Sequence, residues 1–138
     1  MWRWRHRCAR PVRVSASIVA LAFSAAHLAF AHDGTPDARN DPRIANAWRV
    51  LRAVDCARCH GRSYEGLAAP SIVQYAATQE RDAFTRMVLD GDPQRGMPGY
   101  RGNAYVADNI DDIYRYFVAR ATGEIGPDYR PSPRSERD

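Results

Sequence analysis

Apolar positions along this chain recur at helical rather than strand spacing. After Asp41-Pro42, a pair suited to an N-cap and a first helical position, Ile44, Ala47, Trp48, Leu51 and Val54 fall on one face of a helix leading to Cys56. Between Gly61 and Thr78 the period breaks. Gly61, Gly66 and Pro70 punctuate that stretch, and the spacing predicts a wrapping loop carrying Tyr64, Leu67, Ile72 and Tyr75. A second helix is predicted from Gln79 or Glu80 to Asp90, with Phe84, Met87 and Val88 on one face and Gly91 as its stop. Asp92 to Gly102 holds Pro93, Gly96, Pro98, Gly99 and Gly102, a density that excludes helix or strand interior and leaves Met97 in a loop. The third helix carries Ile110, Ile113, Tyr114, Phe117, Val118 and Ala121. It begins near Asp108, or as early as Asn103, gains from Asp111 and Asp112 near its positive end, and stops at Gly123. No segment alternates with a strand period and no repeat is visible, so the fold class is all-α. Glu124 to Asp138 is rich in proline and charge, and its residues from Pro131 are expected to be disordered.

The ends change how the charge is read. The first 31 residues contain no acid and five arginines, Arg3, Arg5, Arg7, Arg10 and Arg13, followed by an uncharged stretch from Val14 that closes on Ala29-Phe30-Ala31. That is the pattern of a secretory signal peptide cut after Ala31, which directs the chain to the periplasm by the general secretory route. An uncleaved anchor is the alternative, but Ser15, Ser17, Ser24 and His27 make the stretch less apolar than a membrane span requires. The expected organisation is therefore a signal peptide at 1–31, an N-terminal extension at 32–40, one domain at 41–123 and a tail at 124–138. Cys8 leaves with the leader. Without the leader, 15 arginines face 16 acids, so the net charge of +4 becomes about −1. No basic stripe interleaved with aromatics survives, which excludes nucleic acid as a partner.

The chemistry is concentrated in Cys56-Ala57-Arg58-Cys59-His60. Two thiols three residues apart with an imidazole directly after them form a c-type haem attachment motif. With 3 Cys and 4 His in 138 residues, chance would supply this pattern roughly 0.002 times. The thiols add across the two vinyl groups of the porphyrin and His60 then stands under the iron. The sixth ligand must be soft, which leaves Met87, Met97, His32 or an open position. Met97 is preferred, because Gly96-Met97-Pro98-Gly99-Tyr100 is a stiff loop able to approach a flat cofactor, whereas Met87 sits on an apolar helix face where methionine usually fills core. A zinc site is one ligand short. The surroundings of the two thiols lack the strand and helix alternation of a thioredoxin-like redox site.

With these residues in view, the chain resembles a class I c-type cytochrome of the small bacterial periplasmic kind. Ala47 takes the place of the small residue where the family's first and last helices cross, and Tyr114, Phe117 and Val118 look like its apolar partners. Ala47 and Ala69 stand where glycine is commoner. The resemblance implies a cytochrome c-like fold of three main helices and loops wrapped around one haem c, covalently attached through Cys56 and Cys59. It implies His60 as proximal and Met97 as distal ligand of the iron, with the carbonyl of Pro70 accepting from the ring N–H of His60. It further implies a monomeric electron carrier rather than an enzyme. Its partners would be redox proteins, a dehydrogenase donor and an oxidase or reductase acceptor, with no permanent membrane span once the leader is cut. The tail from Ala121 to Pro131 is similar to tails on small cytochromes that accompany pyrroloquinoline-quinone alcohol dehydrogenases. The competing reading is a five-coordinate haem that binds NO, CO or peroxide, which needs Met97 off the iron.

Overall fold

A computed structural model of the chain describes residues 37–133; the expected leader and His32 lie outside the described residues. Six helices follow one another: α1 Pro42–Ala53, α2 Ala57–His60, α3 Ile72–Thr78, α4 Arg81–Asp90, α5 Ala104–Ala107 and α6 Ile110–Ala121, with single 3-10 turns at Ala38–Asn40 and Pro93–Arg95. Among the described residues there is no strand, only an isolated antiparallel bridge between Asp92 and Met97. No described helix is long and apolar enough to cross a membrane.

The three long helices stand where the apolar period places them, and their ends have identifiable causes. The Asp41 carboxylate accepts from the Arg43 N–H at 2.9 Å, and Pro42 occupies the first turn of α1. Gly91, at φ 71°, closes α4 in a conformation that costs a residue with a Cβ. Asn109 precedes α6, and both Asp111 and Asp112 lie in its first turn. The two starting points considered for the third helix correspond to two separate helices, since α5 begins after Asn103 and α6 after Asn109.

The stretch 61–78 is not a loop throughout. Its second half is α3, capped by Ser71, whose hydroxyl accepts from the Gln74 N–H at 3.0 Å. The proline before the cap masks the start, and seven residues show too little period to reveal a helix.

α6 is the centre of the packing, with α1, α3 and α4 all lying against it. Ala45 and Ala47 on α1 are completely buried, and Ala47 joins the same core as α6, where a small side chain lets two helices cross closely. Polar groups bind the rim of that crossing, where the Asn46 amide donates to Asn109 Oδ1 at 2.6 Å and to Asp112 Oδ2 at 2.8 Å. On the other flank Phe84 lies between the rings of Tyr75, Tyr114 and Phe117, with centroids 5.2–6.3 Å away. The buried face of α6 is wider than its 3.6-residue stripe, because Tyr116 is 2% exposed while Tyr114 and Val118 are half-buried. Tyr116 meets Tyr64 from the loop after α2 and Tyr129 from the tail. Residues on both sides of 41–123 also join the core: Ala38 before it and Ile125, 1% exposed, after it. Pro131 to Pro133 are described and the last five residues are not.

Candidate functional site

The end of α1 feeds directly into the site. Asp55 takes a left-handed conformation, φ 53°, which turns the chain after Val54 and sets Cys56 at the head of the one-turn helix α2. Three residues apart on that turn, Cys56 and Cys59 lie on neighbouring positions of one face, and His60 closes the turn. Both cysteines are free thiols, Cys56 half-buried and Cys59 exposed. Burial pushes the Cys56 thiol up to about 11, with the Asp55 and Cys59 charges adding to it.

A second strand of connections fixes the His60 ring. Its Nδ1 lies 2.7 Å from the carbonyl oxygen of Pro70. Because a carbonyl can only accept, Nδ1 carries the proton and Nε2 keeps its lone pair for a metal. Pro70 is held in turn by its neighbours: the N–H groups of Ala68 and Ala69 donate to the Cys59 carbonyl at 3.0 and 2.9 Å.

Met97 comes from the loop after α4. Backbone bonds Asp92 N–H to Met97 O (2.9 Å) and Met97 N–H to Asp92 O (3.0 Å) close a tight loop around the Pro93–Arg95 turn. The loop then crosses the end of α4 at close quarters. A Cβ on Gly99 would stand 2.7 Å from the Asp90 oxygen, and one on Gly91 would stand 2.5 Å from the Gly99 nitrogen. Past the crossing, Tyr100 N–H donates to Val88 O and Arg101 N–H to Leu89 O, so the segment is strapped along the last turn of α4.

These pieces border one mainly apolar cleft of about 430 Å³, walled by Leu51, Tyr75, Phe84, Val88, Ile113 and Phe117. Cys56, Cys59, His60, Pro70 and Met97 all line it, so the five site residues expected from sequence come together. Met87 lines it too, from α4. His32 lies outside the described residues. Two cysteine sulfurs, an imidazole with its Nδ1 engaged, the thioether sulfurs of Met87 and Met97 and apolar walls line one cleft, a donor set that fits a covalently attached haem. Among the described residues no three His, Cys, Asp or Glu side chains gather into another metal site. Of two residues in the surroundings, Arg120 escapes the sequence reading and Tyr64 enters it only as a residue of the wrapping loop. Tyr64 is buried at φ 63°, and Arg120 is buried beneath the same loop; neither belongs to a motif that marks it.

Known proteins resemble this chain in sequence and in fold. A protein-family profile described as cytochrome c oxidase, cbb3-type, subunit III matches residues 42–117. Cytochrome c-555 of Methylococcus capsulatus (strain Bath) is 33% identical over 86 residues, covering 62% of this chain and 68% of that protein. Cytochrome c-553I of Paracoccus denitrificans is 32% identical over 92 residues, 62% of this chain but 40% of that protein's length. The crystal structure of the c-type cytochrome XoxG from Methylobacterium extorquens AM1 has the same fold, with a TM-score of 0.60 at 22% identity over 68% of this chain and 63% of that one.

Proposed function

This chain belongs to the c-type cytochromes, in the family matched over residues 42–117, and we propose that it is a periplasmic carrier of single electrons with one haem c held between His60 and Met97. The observation that carries the reading is the 2.7 Å contact between His60 Nδ1 and Pro70 O. It fixes the tautomer that presents Nε2 to iron and raises the basicity of the ring. Cys56 and Cys59 would anchor the group as thioethers, each thiol hydrogen ending on a vinyl carbon, so the addition needs no external oxidant. When bound, the haem supplies the one-electron couple, and a histidine with a methionine sulfur favours its reduced state relative to two imidazoles.

The protein's own residues do the rest. The strap over α4 holds Met97 from the backbone, so this sulfur is offered by a rigid loop, whereas Met87, which lines the same cleft, is offered by a helix face. His60 and Met97 would both be committed to holding the haem, which would leave the centre closed to a substrate. A closed centre of this kind passes electrons through its exposed edge in brief encounters with other proteins. The leader at 1–31 would deliver the chain to the periplasm and be cut after Ala31. The likeness of the tail to those of dehydrogenase-associated cytochromes makes a quinoprotein dehydrogenase the donor in this reading, with a respiratory oxidase or reductase as acceptor and the carrier itself a monomer.

The test is the optical spectrum of haem-loaded protein, oxidised and reduced, for wild type, Met97→Ala and Met87→Ala. A methionine-to-iron charge-transfer band present in wild type and Met87→Ala and absent in Met97→Ala is the expected result. A band that persists in Met97→Ala and vanishes in Met87→Ala moves the ligand to α4. A high-spin wild type that binds CO at once would overturn the carrier reading in favour of a ligand-binding haem.

A further inference from the structure

One buried cation stands outside the lining of the cleft. Arg120, in the last turn of α6, has a side chain only 2% exposed, and a charge is taken so far out of water only where it is paired. Its Nη1 donates to the carbonyl of Ser63 at 3.0 Å and its Nη2 to Glu65 Oε1 at 3.1 Å. The two acceptors flank Tyr64, which stands at φ 63°. A residue with a side chain remains in that left-handed conformation only where its surroundings over-determine it. Here the ring of Tyr64 meets Tyr116 and Phe117 edge-on, at 6.2 and 5.3 Å, while the guanidinium bonds the backbone carbonyl of Ser63 on one side and the side-chain carboxylate of Glu65 on the other.

The Tyr64 turn leads on to the iron site. Its carbonyl accepts from the Ile72 N–H at 3.0 Å and from the Ser71 hydroxyl at 3.4 Å. Those residues directly follow Pro70, the acceptor for the His60 ring. Each link from Arg120 to His60 is therefore a hydrogen bond or a peptide bond.

We infer that Arg120 is a positioning residue for the His60 ring: by clamping both sides of the Tyr64 turn from α6, it sets where the Pro70 carbonyl stands and thereby the orientation and basicity of the imidazole. The inference rests on His60 being the proximal ligand. It predicts a sign. A weakened bond at Nδ1 makes the ring a poorer donor to the oxidised centre, so the midpoint potential rises. Loss of a positive charge near the haem would by itself do the opposite, because it relieves repulsion in the oxidised state.

The experiment compares haem-loaded wild type, Arg120→Met and Arg120→Lys by midpoint potential and by NMR exchange of the His60 Nδ1 proton. Lysine keeps the charge but cannot span both acceptors with a planar fork. The expected result is a higher potential and faster Nδ1 proton exchange in both variants, larger in Arg120→Met. A potential that falls in Arg120→Met and stays unchanged in Arg120→Lys, with exchange as in wild type, overturns the inference even if both variants melt earlier. If Arg120→Met yields no holoprotein, Arg120→Lys decides alone. A wild type without a low-spin histidine–methionine spectrum would overturn the proposed function and this inference together. An intact wild-type spectrum confines any failure to Arg120.

Discussion

Phe84 shows what a single side chain contributes here. It is 1% exposed, lines the cleft and sits among three other rings, so it serves both the core and the cofactor wall. Full burial of a side chain of this size contributes about 1.5–3 kcal/mol of transfer free energy. Its removal also leaves a void that rigid neighbours cannot fill. Phe84→Ala is expected to lower the stability of the holoprotein by about 3–5 kcal/mol, read as a shift in the denaturant midpoint. A loss under about 1 kcal/mol would mean that Tyr75 and Tyr114 collapse into the gap. At this scale the sequence is read unevenly. Cys56, Cys59 and His60 are legible because their chemistry is contiguous, and Met97 because glycine and proline frame it. Pro70 is legible only through resemblance, since nothing local says which imidazole its carbonyl meets ten residues away. Tyr64 is legible only as a residue of a wrapping loop, and Arg120 not at all: an arginine in a helix gives no sign that it will bond a carbonyl 57 residues earlier.

Among the elements, the strap from Asp92 to Arg101 is the one whose shape depends most on missing side chains. Gly99 passes so close to the end of α4 that a methyl group there would meet the Asp90 carbonyl oxygen at 2.7 Å and the Leu89 oxygen at 3.0 Å, both backbone atoms that cannot swing aside. Gly102, three residues on, faces open space. Gly99→Ala is therefore expected to cost about 1–3 kcal/mol in thermal or denaturant unfolding and to weaken the methionine-to-iron band, while Gly102→Ala leaves both unchanged. Equal behaviour of the two variants would show that the strap adapts. The long helices α1, α4 and α6 follow from periodicity and end signals, which are strong over ten or more residues. α3 shows the limit. Ser71 caps it, but the Gly and Pro before Ser71 favour a loop, and the helix is held by packing on α6 that no short window contains.

Across the whole molecule, the tail and the first helix are joined through α6. Arg115 reaches Glu124 Oε2 at 2.7 Å and Asp41 Oδ2 at 3.4 Å. Hydrogen bonds from Arg115 and Thr122 hold the Glu124 carboxyl below its ordinary value of 4.5. A folded-state value below the unfolded one means that the stabilisation is present above pH 4.5 and is lost as pH falls through the lowered value. On acidification below that point, amide hydrogen exchange around Ile125 is expected to quicken before that of α1 and α6 does. Glu124→Gln should show the faster exchange already at neutral pH, and identical exchange in the two proteins would remove the carboxylate from the account. The same region closes a circle. The Tyr129 hydroxyl lies 3.4 Å from the Arg39 carbonyl, and Tyr129 rests on Tyr116. The first and last turns of the described residues are thus side by side. Such a unit can be spliced into the surface loop of a host protein with little loop-closure entropy. An engineer wanting a wired redox module needs no long linker to install this one.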